Sequence, residues 1–84
     1  MAQASIKKRK DVDPERGEEE YGDVEFADPV NKKYPIDSEK HVRAAWSYIN
    51  HRDNAAKYKK DEVDLIKSRI VRAAKKFDID IEAD

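Results

Sequence analysis

Apolar residues recur at helical spacing in two stretches of this chain. The first stretch lies between Ser38 and Asn50, and its apolar positions are Val42, Ala45, Trp46 and Ile49. The second runs from about Lys60 to Phe77 and contains Val63, Ile66, Ile70, Ala73, Ala74 and Phe77. Spacings of three and four residues place these side chains on one face of a helix. The pattern predicts two amphipathic helices that pack antiparallel through their apolar faces.

The residues at the ends of the two stretches fit helix termini. Asp37 or Ser38 offers a side-chain oxygen to the unpaired amides of a first helical turn. In the second stretch the acids lie near the start and the cations near the end, as the helix dipole favours. Asp78 follows that helix at the position of a left-handed cap residue, and Ile79 is expected to close over the helix end. Residues 53–58 predict a single helical turn between the two helices.

The segment before the first helix leaves two interpretations open. Asp28, Pro29, Val30 and Asn31 fit a type I turn. Residues 33–36 are expected to be largely extended, because Pro35 disfavours helical backbone at Tyr34. These features fit a minimal β-hairpin between residues 24–27 and 33–36, and they equally fit an irregular arm packed on the helices.

We therefore predict an all-α fold for residues 24–81. It consists of two main antiparallel helices, a short helical turn between them and an extended N-terminal arm, with a minimal β-hairpin as the possible addition. Residues 1–23 are predicted to be a disordered charged arm, and residues 82–84 an acidic tail. Charged residues make up 44% of the 84-residue chain, and the arm contains three consecutive glutamates. Such a segment buries too little apolar surface to offset the entropy lost on ordering.

The predicted core combines the two helix faces with apolar residues from the flanking segments. Its members are Phe26, Tyr34, Ile36, Val42, Trp46, Ile49, Tyr58, Val63, Ile66, Ile70, Phe77 and Ile79. We expect Trp46 to be the most important of these residues. Truncating a buried tryptophan to alanine costs about 3–5 kcal/mol, a large fraction of the stability of a small domain.

Composition narrows the class of protein. The chain has no cysteine, which excludes a disulfide framework and thiolate metal sites and favours a cytoplasmic location. No apolar run approaches the roughly 18 residues of a membrane span, so no membrane contact is predicted. The net charge of -1 conceals strong segregation: residues 1–10 carry +4, residues 11–31 carry -8, residues 32–77 carry +7 and residues 78–84 carry -4. A basic body thus lies between two acidic flanks.

The histidines and glycines of this chain are not arranged for catalysis. His41 and His51 are ten residues apart, near opposite ends of one predicted helix, so they cannot share a metal or a proton. The two glycines, Gly17 and Gly22, lie in the charged arm, so the chain offers no glycine-rich loop for phosphate. We predict that the protein is not an enzyme, with no catalytic residue, no cofactor and no metal site.

Several short blocks resemble a small uncharacterised domain of unknown function found in bacterial and phage proteins. The blocks are Phe26–Pro29, Tyr34–Asp37, His41–Trp46, Asn54–Tyr58 and Arg69–Phe77. The resemblance covers about residues 24–81 and implies a domain boundary and a phage or prophage setting, without an activity or a cofactor. The chain departs from the family pattern at Lys59-Lys60, where the family has Ser-Pro, and at Asp78, where the family has Gly. Both departures put the helix ends in doubt.

The functional prediction is a small module that binds a protein partner, with the oligomeric state left open. Exposed Tyr48 and the flank at Leu65 would extend an apolar surface for such a partner. The alternative is nucleic-acid binding through lysine and arginine contacts to phosphate. The candidate residues are Arg43, Lys67, Arg69, Arg72, Lys75 and Lys76. A solubilising surface explains the same charges, and the helix dipole accounts for the cations near the end of the second helix.

Overall fold

The computed structural model describes residues 6–81, which form four helices and one two-stranded antiparallel sheet. The elements are α1 (Pro14–Tyr21), β1 (Phe26–Asp28), β2 (Lys33–Pro35), α2 (Glu39–Ile49), α3 (Arg52–Ala55) and α4 (Lys60–Lys76). The all-α prediction is therefore wrong, because the fold mixes helices with a sheet. The predicted acidic tail at residues 82–84 and the first five residues of the predicted arm lie outside the described part.

The sheet is the hairpin that the sequence left as one of two alternatives. Phe26 lies opposite Pro35 and Asp28 lies opposite Lys33, and the Ile36 amide extends the ladder by donating to the Glu25 carbonyl at 2.9 Å. Each strand has only three residues. A strand of that length is too short to show the alternation of apolar and polar residues that identifies a strand in a sequence.

The backbone of the hairpin bends at two residues with positive φ. Lys32 has φ 55° and Tyr34 has φ 62°, so within the segment 33–36, which was expected to be largely extended, Tyr34 departs from extended backbone. Left-handed backbone costs a non-glycine residue on the order of 1–2 kcal/mol. Packing offsets that cost at Tyr34, which is buried with its ring centroid 6.4 Å from that of Tyr58.

The two main helices begin and end close to the predicted positions. Ser38 caps α2 by accepting from the His41 amide at 3.2 Å. The predicted turn between the helices is α3, which begins one residue earlier than expected. The start of α4 is capped by Glu62, whose carboxylate accepts from the Lys59 amide at 2.7 Å. This contact replaces the cap that Lys59-Lys60 does not supply.

The end of α4 confirms the prediction of a left-handed cap. Asp78 has φ 56°, its amide donates to the Lys75 carbonyl at 3.2 Å, and the Ile79 amide donates to the Ala74 carbonyl at 2.8 Å. This pair of bonds is the Schellman arrangement, in which glycine is the preferred left-handed residue. Ile79 is buried over the helix end, as expected.

Replacing Asp78 with glycine is therefore expected to stabilise the protein. Glycine adopts the left-handed region without steric cost, so we expect the free energy of unfolding to rise by about 0.5–1 kcal/mol. Urea unfolding followed by circular dichroism measures the change, with the exposed Asp80→Gly variant as the control. An unchanged or lowered stability for Asp78→Gly would show that the aspartate side chain contributes more than the backbone strain costs.

The core contains most of the predicted apolar residues, but Trp46 is not at its centre. The fully buried large apolar side chains are Val42, Ile49, Ile66 and Ile70, whereas Trp46 is only partly buried at the edge of the core. The expectation that Trp46 is a fully buried core residue is therefore wrong. Ile6, which was expected in the disordered arm, is buried in the same core.

The N-terminal segment differs from the predicted disordered arm over residues 6–21. Asp13 caps α1 by accepting from the Glu15 amide at 3.1 Å, and Pro14 occupies the first helical position, where its missing N–H costs nothing. Gly17 allows α1 to pack closely on the hairpin, because a Cβ there would lie 2.3 Å from the Lys32 carbonyl oxygen. The cap at Asp13 and the close packing at Gly17 therefore stabilise α1 despite the high charge of the segment.

Candidate binding site

Three of the six predicted nucleic-acid-binding residues share one cavity, and three do not. Arg69, Arg72 and Lys76 follow one another at i, i+3 and i+7, which places them on one side of α4. They line a cavity of about 480 Å³ between α4 and the hairpin. We call this space the basic cavity.

The other three predicted residues do not line the basic cavity. The Lys67 ammonium lies 5.9 Å from the ring centroid of Trp46, on the α2 side of α4. Arg43 forms an exposed ion pair with Glu39 one helical turn away, with 3.1 Å between Nε and Oε2. Lys75 is exposed on α4 and does not line the basic cavity. The six residues therefore do not form one continuous basic face.

The basic cavity gains a fourth cation from the hairpin. Lys32 lies in the turn between β1 and β2, with its ammonium 5.7 Å from the ring centroid of Phe26. Glu25 is the one acidic residue of the lining. The apolar part of the lining is Val24, Phe26, Pro29, Ile36 and Ala73. The cavity thus presents four positive charges around an apolar surface.

Arg69 is held in place at this cavity, whereas Arg72 and Lys76 are exposed. The Arg69 Nη1 donates to the Ala27 carbonyl at 3.0 Å, which fixes its guanidinium against β1. Within residues 6–81, none of the ion pairs involves a cation of this cavity. Guanidinium groups bind carboxylates in a two-pronged geometry, so these residues are suited to a carboxylate ligand.

A second cavity, of about 380 Å³, lies among α1, β2 and α2. Its charged lining is balanced: Arg16, Lys32, Lys33 and His41 lie with Asp11, Asp13 and Glu20. Tyr48, which was predicted to extend an apolar surface, lines this cavity and is 56% exposed. Leu65 is partly buried against the core. We call this space the mixed cavity. Because its positive and negative charges largely cancel, it favours a charged ligand less strongly than the basic cavity does.

The two histidines are placed at helix starts. His41 completes the first turn of α2, with its Nδ1 2.5 Å from the Asp37 carboxylate and its ring 5.5 Å from that of Tyr21. His51 precedes α3 and is exposed.

Among the described residues, no group of three His, Asp or Glu side chains has the arrangement of a metal site. The described helices include none that is long and apolar enough to cross a membrane.

A buried polar cluster joins residues 6–11, which we call the N-terminal arm from here on, to the rest of the fold. No sequence signal predicted this cluster. Asp28 is fully buried, and its carboxylate accepts from the amides of Val30 and Asn31, from the Asn31 side chain at 2.8 Å and from the Tyr58 hydroxyl at 2.6 Å. Burial, and then the hydrogen bond to Asp28, raise the pKa of the Tyr58 hydroxyl. The turn residues that suggested a hairpin therefore also form the floor of an arm-binding groove.

The arm contacts this cluster through its backbone and one side chain. The Lys7 amide donates to Glu62 at 2.9 Å, and this bond, after that from the Lys59 amide, holds the pKa of Glu62 below its ordinary value. The Arg9 side chain is 9% exposed, and its guanidinium lies 5.0 Å from the ring centroid of Tyr58. Arg9 also pairs with Asp11, which lowers the pKa of that exposed carboxyl to about 2.

Comparison with known proteins identifies a family without assigning an activity. Residues 2–84 match the model of a family described as a family of unknown function (DUF6582). The match includes the N-terminal arm, which the resemblance over residues 24–81 left out. No curated protein and no solved structure matches the chain.

Proposed function

Since the chain belongs to DUF6582, a family of unknown function, we propose its function from its own geometry. The protein is a non-enzymatic module that binds an acidic segment of a protein partner in the basic cavity. The proposal includes a bacterial or phage setting and a cytoplasmic location. The bacterial or phage setting is expected from the resemblance, and the cytoplasmic location is expected from the absence of cysteine.

The observation that carries the proposal is the composition of the basic cavity. Lys32, Arg69, Arg72 and Lys76 surround an apolar floor that includes Phe26 and Ile36. A peptide with a carboxylate beside an aliphatic or aromatic side chain satisfies both parts of this lining. The carboxylate pairs with the guanidinium groups, and the apolar side chain covers the floor.

Three features favour such a peptide over nucleic acid. A phosphate backbone has no apolar group to cover the floor of the cavity. Arg43 and Lys67 lie away from it, so a long polyanion does not meet all six predicted cations together. The acidic helix α1 packs against Lys32, and a polyanion extending past that residue meets exposed glutamates.

Charge reversal at the cavity tests the proposal. We expect a peptide library selected on the full chain to yield sequences in which Asp or Glu flanks an apolar residue. Arg72→Glu with Lys76→Glu is expected to weaken binding of the selected peptides by roughly 30–1,000-fold, since each of the two lost charge contacts contributes on the order of 1–2 kcal/mol. The matched control is Arg43→Glu with Arg52→Glu, which changes the net charge equally at two exposed positions outside the cavity.

Two outcomes contradict the proposal. One is a set of selected peptides without acidic residues. The other is an equal loss of affinity in the cavity and control variants, which would indicate a general charge effect. Nucleic-acid binding is measured in parallel with duplex and single-stranded DNA. A DNA affinity that exceeds the peptide affinity, falls steeply with salt and is reduced by both double variants would favour the nucleic-acid alternative.

A further inference from the structure

The groove that holds residues 6–11 recognises the backbone of this segment at Lys7 and Arg9. The Glu62 carboxylate accepts from the Lys7 amide at 2.9 Å, and the Asn31 side chain accepts from the Arg9 amide at 2.6 Å. The same Asn31 side chain donates to the Lys7 carbonyl at 3.1 Å. Backbone groups two residues apart point to the same side of an extended chain. The Asn31 carboxamide thus binds the arm in the way that a neighbouring strand would.

Two side chains of the arm fix its register in the groove. Ile6 is buried in the core, and Arg9 lies against the Tyr58 ring and donates to the Tyr58 hydroxyl at 3.2 Å. Lys8 and Lys10, by contrast, are exposed. The groove therefore selects a segment with an aliphatic residue three positions before an arginine.

The link from the arm to α1 is short and extended. Asp13 has φ -105° and ψ 107°, and the proline that follows it disfavours helical backbone there. A short connection of this kind is a common hinge for the exchange of identical segments between chains. The net charge of -1 gives little repulsion between two copies.

We propose that this groove, lined by Asn31, Tyr58 and Glu62, binds the arm of a second copy of the chain. Each copy then places its Ile6–Asp11 segment in the groove of the other. Every hydrogen bond of the arm is kept in the exchanged form, because the two chains are identical. The closed monomer and the exchanged dimer differ chiefly in the link at residues 12–13 and in the entropy of association.

Complementation between two full-chain variants tests the exchange. Ile6→Asp damages the arm and leaves the groove intact, whereas Asn31→Ala damages the groove and leaves the arm intact. Neither variant alone has an intact arm in an intact groove, but a mixed pair has one. Sedimentation of the equimolar mixture is expected to show a heterodimer, with each variant alone monomeric. The control mixture of Ile6→Asp with Arg9→Ala has no intact arm and is expected to show no heterodimer. A complementary mixture that sediments as the sum of its two components overturns the proposal.

A peptide measurement covers the case in which either variant does not fold. The full chain with Arg9→Ala keeps the groove and weakens its own arm. A peptide of residues 6–11 is expected to bind this chain at least about tenfold more tightly than the wild-type chain, whose tethered arm competes at high effective concentration. The same peptide with Ile6 replaced by Asp is the control and is expected not to bind. Equal affinities of the two chains for the peptide overturn the proposal.

Discussion

Replacing Ile66 with alanine is expected to destabilise the protein by about 3–5 kcal/mol. Ile66 is 0% exposed and lies on the face of α4 that packs against the rest of the core. Truncation removes its buried methyl and methylene groups and leaves a cavity that the surrounding rigid helices fill only in part. For a domain of this size the loss is a large part of the total free energy of unfolding.

Trp46→Ala provides the comparison, because Trp46 was the residue expected from the sequence to matter most. Trp46 is partly exposed at the edge of the core, so its truncation is expected to cost about 1–2 kcal/mol, less than that of Ile66. Far-UV circular dichroism during urea unfolding suits both variants, since Trp46 is the only tryptophan and its removal abolishes that fluorescence signal. A larger loss for Trp46→Ala than for Ile66→Ala would contradict the arrangement of the core described here.

Replacing Asn31 with alanine is expected to cost about 2–4 kcal/mol, although no apolar contact of similar size is lost. Asn31 is fully buried, and its side chain satisfies the Lys7 carbonyl, the Arg9 amide and one oxygen of Asp28. Alanine leaves all three groups with one hydrogen bond fewer, and the Asp28 carboxylate among them is fully buried. The cost of leaving such groups unpaired exceeds the net gain from an ordinary hydrogen bond.

The same substitution is expected to release the arm before the body unfolds. Trypsin cuts after lysine and arginine, so cleavage at Lys8, Arg9 and Lys10 reports on release of the arm. We expect faster cleavage at these sites in Asn31→Ala than in the wild-type chain. Asn50→Ala is the matched control, because Asn50 is exposed and its side chain donates to the Trp46 carbonyl at 2.8 Å, away from the groove. Unchanged cleavage in Asn31→Ala would mean that the groove does not hold the arm.

The sequence predicts the two main helices well because their apolar stripes are long. The stripe through Val42 and Ile49 belongs to α2, and the stripe through Ile66 and Ile70 belongs to α4. Each extends over several helical turns, so the pattern repeats often enough to be recognised. The ends follow from local caps at Ser38 and Asp78.

The hairpin and the arm are harder to predict because they depend on contacts between distant residues. Residue 7 meets residue 62, and residue 9 meets residue 31. A short-range sequence pattern carries no information about which distant residues contact each other. Ile6 is an isolated apolar residue next to a basic run, so its place in the core depends on the polar groove that receives the residues after it. High local charge indicated disorder, whereas α1 is stabilised by its Asp-Pro start and its contact with the hairpin.

The sequence predicted only the part of the basic cavity that α4 contributes. The spacing of Arg69, Arg72 and Lys76 places them together on α4 whatever the rest of the fold. Lys32 joins them because the hairpin turn has left-handed backbone at that residue, which sequence spacing does not specify. Lys67 points away because it lies on the opposite side of the same helix, against Trp46.

Nuclear magnetic resonance titration of the ¹⁵N-labelled full chain tests the basic cavity most directly. The probe is a short peptide in which glutamate alternates with leucine, and the signals are the backbone amides together with the arginine Nε–Hε groups. Binding in the basic cavity predicts the largest shifts at Lys32, Arg69, Arg72 and Lys76, with Arg43 and Arg52 unchanged. Shifts concentrated at Arg16 and Tyr48 in the mixed cavity, or no shifts at any of these residues, would contradict it.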